Sequence, residues 1–211
     1  MKAKTKTPFY LFAYFALLTA GCSSAPTDQS STTEEDLKTG SLIRNGGFEL
    51  DDGSGTFFLD WSNGGAGEFG AQVFVQSDHV HSGKNAAEIN TSGDFDPGGP
   101  KLVVAGFISQ TIKLPTTGKL TLSFFASFGC KAKPGPHDFQ RVRILDRKGA
   151  ELLPILKQCV TDPNYTKTTV DLTSLRGKTV TVEFFASDFT NFDDLDPKTD
   201  LQIDDVRIVK Y

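Results

Sequence analysis

Apolar residues come in short runs along most of the chain, and in the clearest runs they alternate with polar ones. Leu120, Leu122, Phe124 and Ala126 interleave with Thr121, Ser123, Phe125 and Ser127. Val180, Val182, Phe184 and Ala186 interleave in the same way with Thr181, Glu183, Phe185 and Ser187. A period of two marks strands with one face buried. Gly, Pro, Asn and Asp punctuate the runs, and no amphipathic helical stretch of useful length intervenes. The pattern predicts strands over 68–76, 86–90, 102–114, 119–127, 139–146, 166–172, 178–187 and 201–209, with one helical turn over 172–175. Many short strands separated by turn residues predict an all-β fold, a two-sheet β-sandwich. The segments around the two look-alike strands do not match each other, so they read as two core strands under one packing constraint rather than as a repeat.

The first residues follow a different rule. Lys2, Lys4 and Lys6 precede an apolar run from Phe9 to Leu18, and Thr19, Ala20 and Gly21 lead directly to Cys22. This order predicts a secretory signal peptide over 1–21. The run is shorter than the ~20 apolar residues a membrane-spanning helix needs. Leu18 to Cys22 resembles the lipobox of bacterial lipoproteins, in which the thiol is acylated before cleavage at Gly21. The resemblance implies that Cys22 becomes a lipidated N-terminus, with palmitate among the acyl groups and the membrane as a partner; the alternative is plain secretion with a stray cysteine near the cut. Ser23 stands where an aspartate would resemble an inner-membrane retention signal, so an outer-membrane location is expected, facing either the periplasm or the exterior. Residues 22–40 are rich in Ser, Thr, Asp and Glu and too poor in apolar side chains to offset their ordering entropy. They read as a tether for a folded domain spanning 41–211.

The full chain carries a formal charge of −4, and cleavage after Gly21 would remove three lysines and no acid, leaving −7. With no basic stripe to neutralise phosphates, nucleic acid is excluded as an expected partner. Lipidation would use one of three cysteines, leaving Cys130 and Cys159 in an oxidising compartment. They are expected to form a disulfide, contributing roughly 3.5 kcal/mol by closing a loop of about 30 residues. A structural zinc would need four ligands.

Four short signatures then occur in a telling order: Asn45-Gly46-Gly47-Phe48-Glu49 followed by Trp61; His81-Ser82-Gly83-Lys84-Asn85-Ala86-Ala87; Asp171-Leu172-Thr173-Ser174-Leu175-Arg176-Gly177-Lys178; and Ile203-Asp204-Asp205-Val206. Together, across nearly all of 42–209, they resemble carbohydrate-binding modules with the galactose-binding-like jelly roll. The stretch 128–163, with both cysteines and Pro134, Pro136 and Pro154, is covered poorly. The resemblance implies a structural Ca²⁺ held by Glu49, by Lys84 through its main chain and by Asp204, with Asp205 as substitute if the strand is shifted by one. Oxygen ligands suit a hard cation. The competing reading is that these acids cap turns at the sandwich edge.

Alternation that buries Phe124 and Phe184 turns Phe125 and Phe185 outward. In the 139–146 strand, Val142 and Ile144 fit the core, so Arg141 and Arg143 join the outward set with Glu183. Rings that stack on sugar faces and charged forks that bind hydroxyls or uronic carboxylates are the ingredients of a glycan groove. Phe125, Arg141, Arg143, Glu183 and Phe185 are therefore the candidate ligand residues, unless the excursion between the cysteines covers the rings. Trp61 reads as core rather than as a stacking platform. His79 and His81 lack a visible third metal ligand, His137-Asp138 sits among prolines, and the acids from Asp188 to Asp200 lack EF-hand spacing. No nucleophile with an oriented base stands out, and a non-enzyme is expected. The function read from the sequence is a membrane-anchored lipoprotein that binds a polysaccharide or cell-wall glycan. The alternative is an adhesion or envelope-assembly protein that docks another protein through the same domain.

Overall fold

A computed structural model describes residues 40–66, 72–91, 102–130, 133–190 and 199–211. The signal segment, Cys22, nearly all of the tether, and Asp193, Asp194 and Asp196 of the acidic run lie outside the described residues. Among the described residues ten strands form: β1 (Ser62–Ala66), β2 (Gln72–Gln76), β3 (Ala86–Asn90), β4 (Leu102–Lys113), β5 (Leu120–Gly129), β6 (Phe139–Leu145), β7 (Glu151–Gln158), β8 (Asp162–Asp171), β9 (Thr179–Thr190) and β10 (Asp200–Lys210). A 3-10 turn, Thr173–Leu175, occupies the predicted helical position. The strands make two antiparallel five-stranded sheets, ordered β1-β4-β9-β6-β7 and β2-β3-β10-β5-β8. This is the all-β two-sheet sandwich that the alternation predicts.

The look-alike strands β5 and β9 do not lie in one sheet; each contributes its alternate apolar residues to the same core from opposite sides. Leu120, Leu122, Phe124 and Ala126 are fully buried, as are Val180, Val182, Phe184 and Ala186. The rings of Phe124 and Phe184 meet edge to face with centroids 5.1 Å apart, a geometry worth about 1 kcal/mol beyond the area it buries. Trp61 is core, as expected: it packs 5.0 Å from Phe48, and its indole N–H donates to the Asn45 carbonyl at 2.9 Å.

Two strands went unpredicted, each for a local reason. β1 reads Ser-Asn-Gly-Gly-Ala, with no apolar alternation, and is held by its pairing with β4. β7 contains Pro154, which has no N–H to donate and so belongs on an edge or at a bulge. It has both: β7 is the outer strand of its sheet, and the register slips beside Pro154. The Cys130–Cys159 disulfide forms as expected and ties the end of β5 in one sheet to the end of β7 in the other.

A bulge in β10 explains the paired aspartates. Leu201 and Ile203 face the core from odd positions, whereas Val206 and Ile208 face it from even ones. One extra residue must absorb the change of parity. The register slips between Asp204 and Arg207, and Asp205 takes a positive φ of 51°, a conformation that aspartate tolerates better than most residues.

The Asn45-Gly46-Gly47-Phe48-Glu49 segment is seated against this bulge. Gly46 accepts the Val206 N–H at 2.9 Å, and a Cβ on Gly46 would stand 1.9 Å from the Val206 carbonyl oxygen. Asn45, itself at positive φ, donates to the carbonyls of Leu50 and Leu59 and accepts the Leu50 N–H. Phe48 is fully buried. The motif is thus a strapped loop that delivers Glu49 to the sandwich edge.

Candidate functional site

Two separate places collect the predicted residues. The first is the edge beside the β10 bulge, where Glu49, Asp204 and Asp205 converge on the turn over residues 81–85. Glu49 Oε1 accepts the N–H groups of Lys84 at 2.8 Å and Asn85 at 3.1 Å. Gly83 sits at φ +70°, and a Cβ there would come 2.0 Å from the same oxygen, so only glycine leaves room for the carboxylate. Asp204 Oδ2 accepts the N–H groups of His81 and Ser82 at 2.9 and 3.0 Å, and Oδ1 accepts the Asp205 N–H at 2.7 Å. Burial pushes the Asp204 carboxyl up to about 6, helped by the Asp205 charge and opposed by the turn amides. For Asp205, burial acts upward, but hydrogen bonds from His81 and Ser82 and the charge of Arg207 outweigh it and hold the carboxyl below its ordinary range. Its oxygens lie 2.6 Å from His81 Nδ1 and 2.9 Å from Arg207.

Glu49 and Asp204 therefore grip the same turn at different N–H groups, and the ligand atoms that lie together are those of Asp204, Asp205 and His81 rather than of Glu49. The donor chemistry suits a cation near Asp204, a fully buried carboxylate with no cationic partner among the described residues. His81, Asp204 and Asp205 each bring a ligand atom within 4.8 Å of the others. His81 thus joins the acids, while His79 turns to Gln202 and Tyr165. Lys84 meets Glu49 through its N–H in this arrangement.

The second place is the outer face of the β1-β4-β9-β6-β7 sheet. Cross-strand register sets side chains in rows, because residues opposite each other on adjacent strands share a face. One row runs Gly64, Phe107, Phe185, Arg141, Lys157 from β1 to β7. The next runs Ser62, Ser109, Glu183, Arg143, Pro154. Phe139 stacks on Phe185 with centroids 5.6 Å apart and planes at 20°. The Arg141 guanidinium lies 4.8 Å from the Phe185 centroid and 5.6 Å from that of Phe139, and Lys157 Nζ stands 4.3 Å from Phe139. Arg143 Nε donates to Glu183 at 2.6 Å, with Glu151 3.8 Å from its Nη1. Burial and the neighbouring Arg143 lower the Arg141 pKa, with Glu183 and Glu151 acting the other way.

Phe125 does not share this surface. It lies in β5, so outward from its sheet means the opposite side of the molecule. There the His81 ring stacks on it at 3.5 Å, and Lys167 lies 5.6 Å from its centroid. The expected five-residue set is corrected to four, Arg141, Arg143, Glu183 and Phe185. What lies on Phe125 is the His81 ring rather than the cysteine excursion.

Sequence reasoning missed Phe107, Phe139 and Lys157. Phe139 shares odd parity with Arg141 and Arg143 and was legible; Phe107 likewise alternates with the buried Ile108. Lys157 was not legible, because its strand was not.

No family model matches the chain, and no curated protein matches it. Solved structures do. The chain is similar to a family 61 carbohydrate-binding module solved in complex with β-1,4-galactotriose, at 15% identity and a TM-score of 0.54, over 81% of this chain and 99% of that one. It is also similar to the enzymatically active domain of tailspike protein 4 from bacteriophage CBA120, at 12% identity and a TM-score of 0.52, over 81% of this chain and 21% of that one. A family 16 carbohydrate-binding module aligns over 81% of this chain and all of its own, at 17% identity and a TM-score of 0.46. At these identities the first two likenesses, with TM-scores above 0.5, establish the fold alone, a β-sandwich jelly roll.

Proposed function

We propose that this protein is a non-catalytic glycan-binding lipoprotein, and that sugar binds on the outer face of the β1-β4-β9-β6-β7 sheet. The observation that carries the reading is the row of Phe107, Phe185 and Arg141 with Phe139 stacked alongside. Flat rings held in fixed orientation match the apolar faces of pyranoses, and polar forks beside them match hydroxyls. The Arg143–Glu183 pair supplies donors and acceptors next to the rings. A jelly-roll neighbour solved with a galactose trisaccharide adds weight, although fold alone never assigns function.

The rest of the reading has separate supports. The leader and Cys22 favour a lipid anchor and an outer-membrane address. The convergence of Glu49, Asp204 and Asp205 on one glycine turn favours a structural Ca²⁺, in which the ion would neutralise the buried Asp204 and clamp the 81–85 turn to the bulge. The lack of a nucleophile-and-base motif in the sequence favours a binding rather than a catalytic role.

A glycan and cell-wall binding screen tests the proposal, comparing the unaltered protein with Phe185→Ala. Retention by a defined polysaccharide that the substitution weakens roughly tenfold or more, as expected for a lost stacking partner, supports it. A folded protein that binds no glycan but retains a protein partner after glycosidase treatment would replace it with the docking alternative.

A further inference from the structure

The outer face is electrostatically divided. Arg143 is neutralised by Glu183 at 2.6 Å and flanked by Glu151. Arg141 and Lys157 stand directly opposite each other on β6 and β7, and among the described residues neither forms an ion pair; Glu183 and Glu151, which pair with Arg143, reach Arg141 only as more distant charges. Like charges facing across a strand pair are unfavourable. Arg141 Nε is also buried without a hydrogen-bond partner, which is costly unless something else satisfies it. The guanidinium lies beside the stacked Phe139 and Phe185 rings, 4.8 Å from one centroid and 5.6 Å from the other, so its position is set before any ligand arrives.

We propose that this half of the face takes an anionic saccharide, with a uronate carboxylate or sugar sulfate received by Arg141 and Lys157 while the pyranose stacks on Phe185. The inference rests on the glycan reading above and narrows it to acidic glycans. Adjacent strands lie about 4.8 Å apart, so a ring stacked over β9 presents a rim substituent above β6, where the guanidinium lies. A planar fork suits a carboxylate or sulfate, and Lys157 adds a point charge beyond it. Burial and the charge of Arg143 lower the Arg141 pKa, and Glu183 and Glu151 act the other way without offsetting them. The chain as a whole is acidic at −4, so any polyanion it holds must be held by a local arrangement rather than by bulk attraction.

The test uses the protein with polygalacturonate, fully methyl-esterified polygalacturonate, neutral β-1,4-galactan, heparin and duplex DNA, by isothermal titration at two salt concentrations. Polygalacturonate should bind, and the methyl ester, which keeps the backbone and loses the charge, should bind roughly tenfold or more weakly. Arg141→Gln should remove that difference with the melting temperature monitored alongside; Lys157→Gln should reduce it, and Lys119→Gln should leave it unchanged. Preference for heparin over polygalacturonate would support the proposal with sulfate as the anion. Equal binding of the acid, the ester and galactan would overturn the acidic preference and leave the glycan reading standing. Binding of DNA as tight as that of the acidic glycans would overturn the saccharide assignment of the cationic pair. Loss of all glycan binding in a folded protein would overturn both.

Discussion

Substituting Gly46 with alanine adds one methyl group where the structure has no room for it. The new Cβ would stand 1.9 Å from the Val206 carbonyl oxygen and 3.2 Å from Ile43 Cγ2. Non-bonded heavy atoms settle at roughly 3.5 Å, so the loop must retreat from β10 by more than about 1 Å. That retreat breaks the 2.9 Å hydrogen bond from Val206 N–H to Gly46. Leaving a buried donor unpaired costs about 1–3 kcal/mol, and overpacking costs about 1–3 kcal/mol more, giving about 4 kcal/mol. For a domain of this size each kcal/mol moves the midpoint by about 2–4 °C, so the melting temperature should fall by about 8–16 °C. Gly53→Ala is the control: its φ is +81° but nothing lies within 4 Å, so only left-handed backbone strain of about 1–2 kcal/mol applies. Thermal denaturation followed by circular dichroism measures both variants. If they lose the same few degrees, the loop is not strapped to the bulge as argued, and the Asn-Gly-Gly-Phe-Glu motif needs another explanation.

Other consequences can be checked on the same preparation. Burial, aided by Glu88, raises Asp200 from 3.8 to about 6; its contribution to stability is therefore fully present below the unfolded value and lost as pH rises through about 6. Asp200→Asn should gain more in melting temperature relative to the unaltered protein at pH 7.5 than at pH 5, and equal differences at both would remove the assignment. Calcium at 100 times its dissociation constant should stabilise the fold by about 2.7 kcal/mol, and a chelator should reverse this; no response to either would leave Glu49 and Asp204 as turn caps. Phe184→Ala, which empties the centre of the core, should cost about 3–5 kcal/mol in urea unfolding, whereas a loss under 1 kcal/mol would contradict the packing against Phe124. Cys22→Ser should abolish incorporation of labelled palmitate in a lipoprotein-processing host; persistent labelling would place the acyl chain elsewhere.

Much of the fold was legible because period-two alternation is a local property. Strands β3, β4, β5, β6 and β9 follow from which side chains alternate, and the disulfide follows from the cysteine count and the compartment expected from the leader. β1 and β7 were not legible, since one is almost all small residues and the other carries Pro154; both exist because a neighbour supplies their hydrogen bonds. The β10 bulge left a trace that could be read, the shift of apolar parity between Ile203 and Val206.

The candidate site divides along the same line. Within a strand, parity is written in the sequence, so Arg141 with Arg143 and Glu183 with Phe185 were placed together correctly. Which strands share a sheet is decided by long-range pairing, and no local pattern encodes it. Phe125 and Phe185 occupy equivalent places in nearly identical strands, yet only the tertiary structure sends one beneath His81 and the other beside Arg141. The pairing of β6 with β7 likewise sets Lys157 opposite Arg141, a juxtaposition of charges 16 residues apart that depends on hydrogen-bond register and on nothing nearer in the chain.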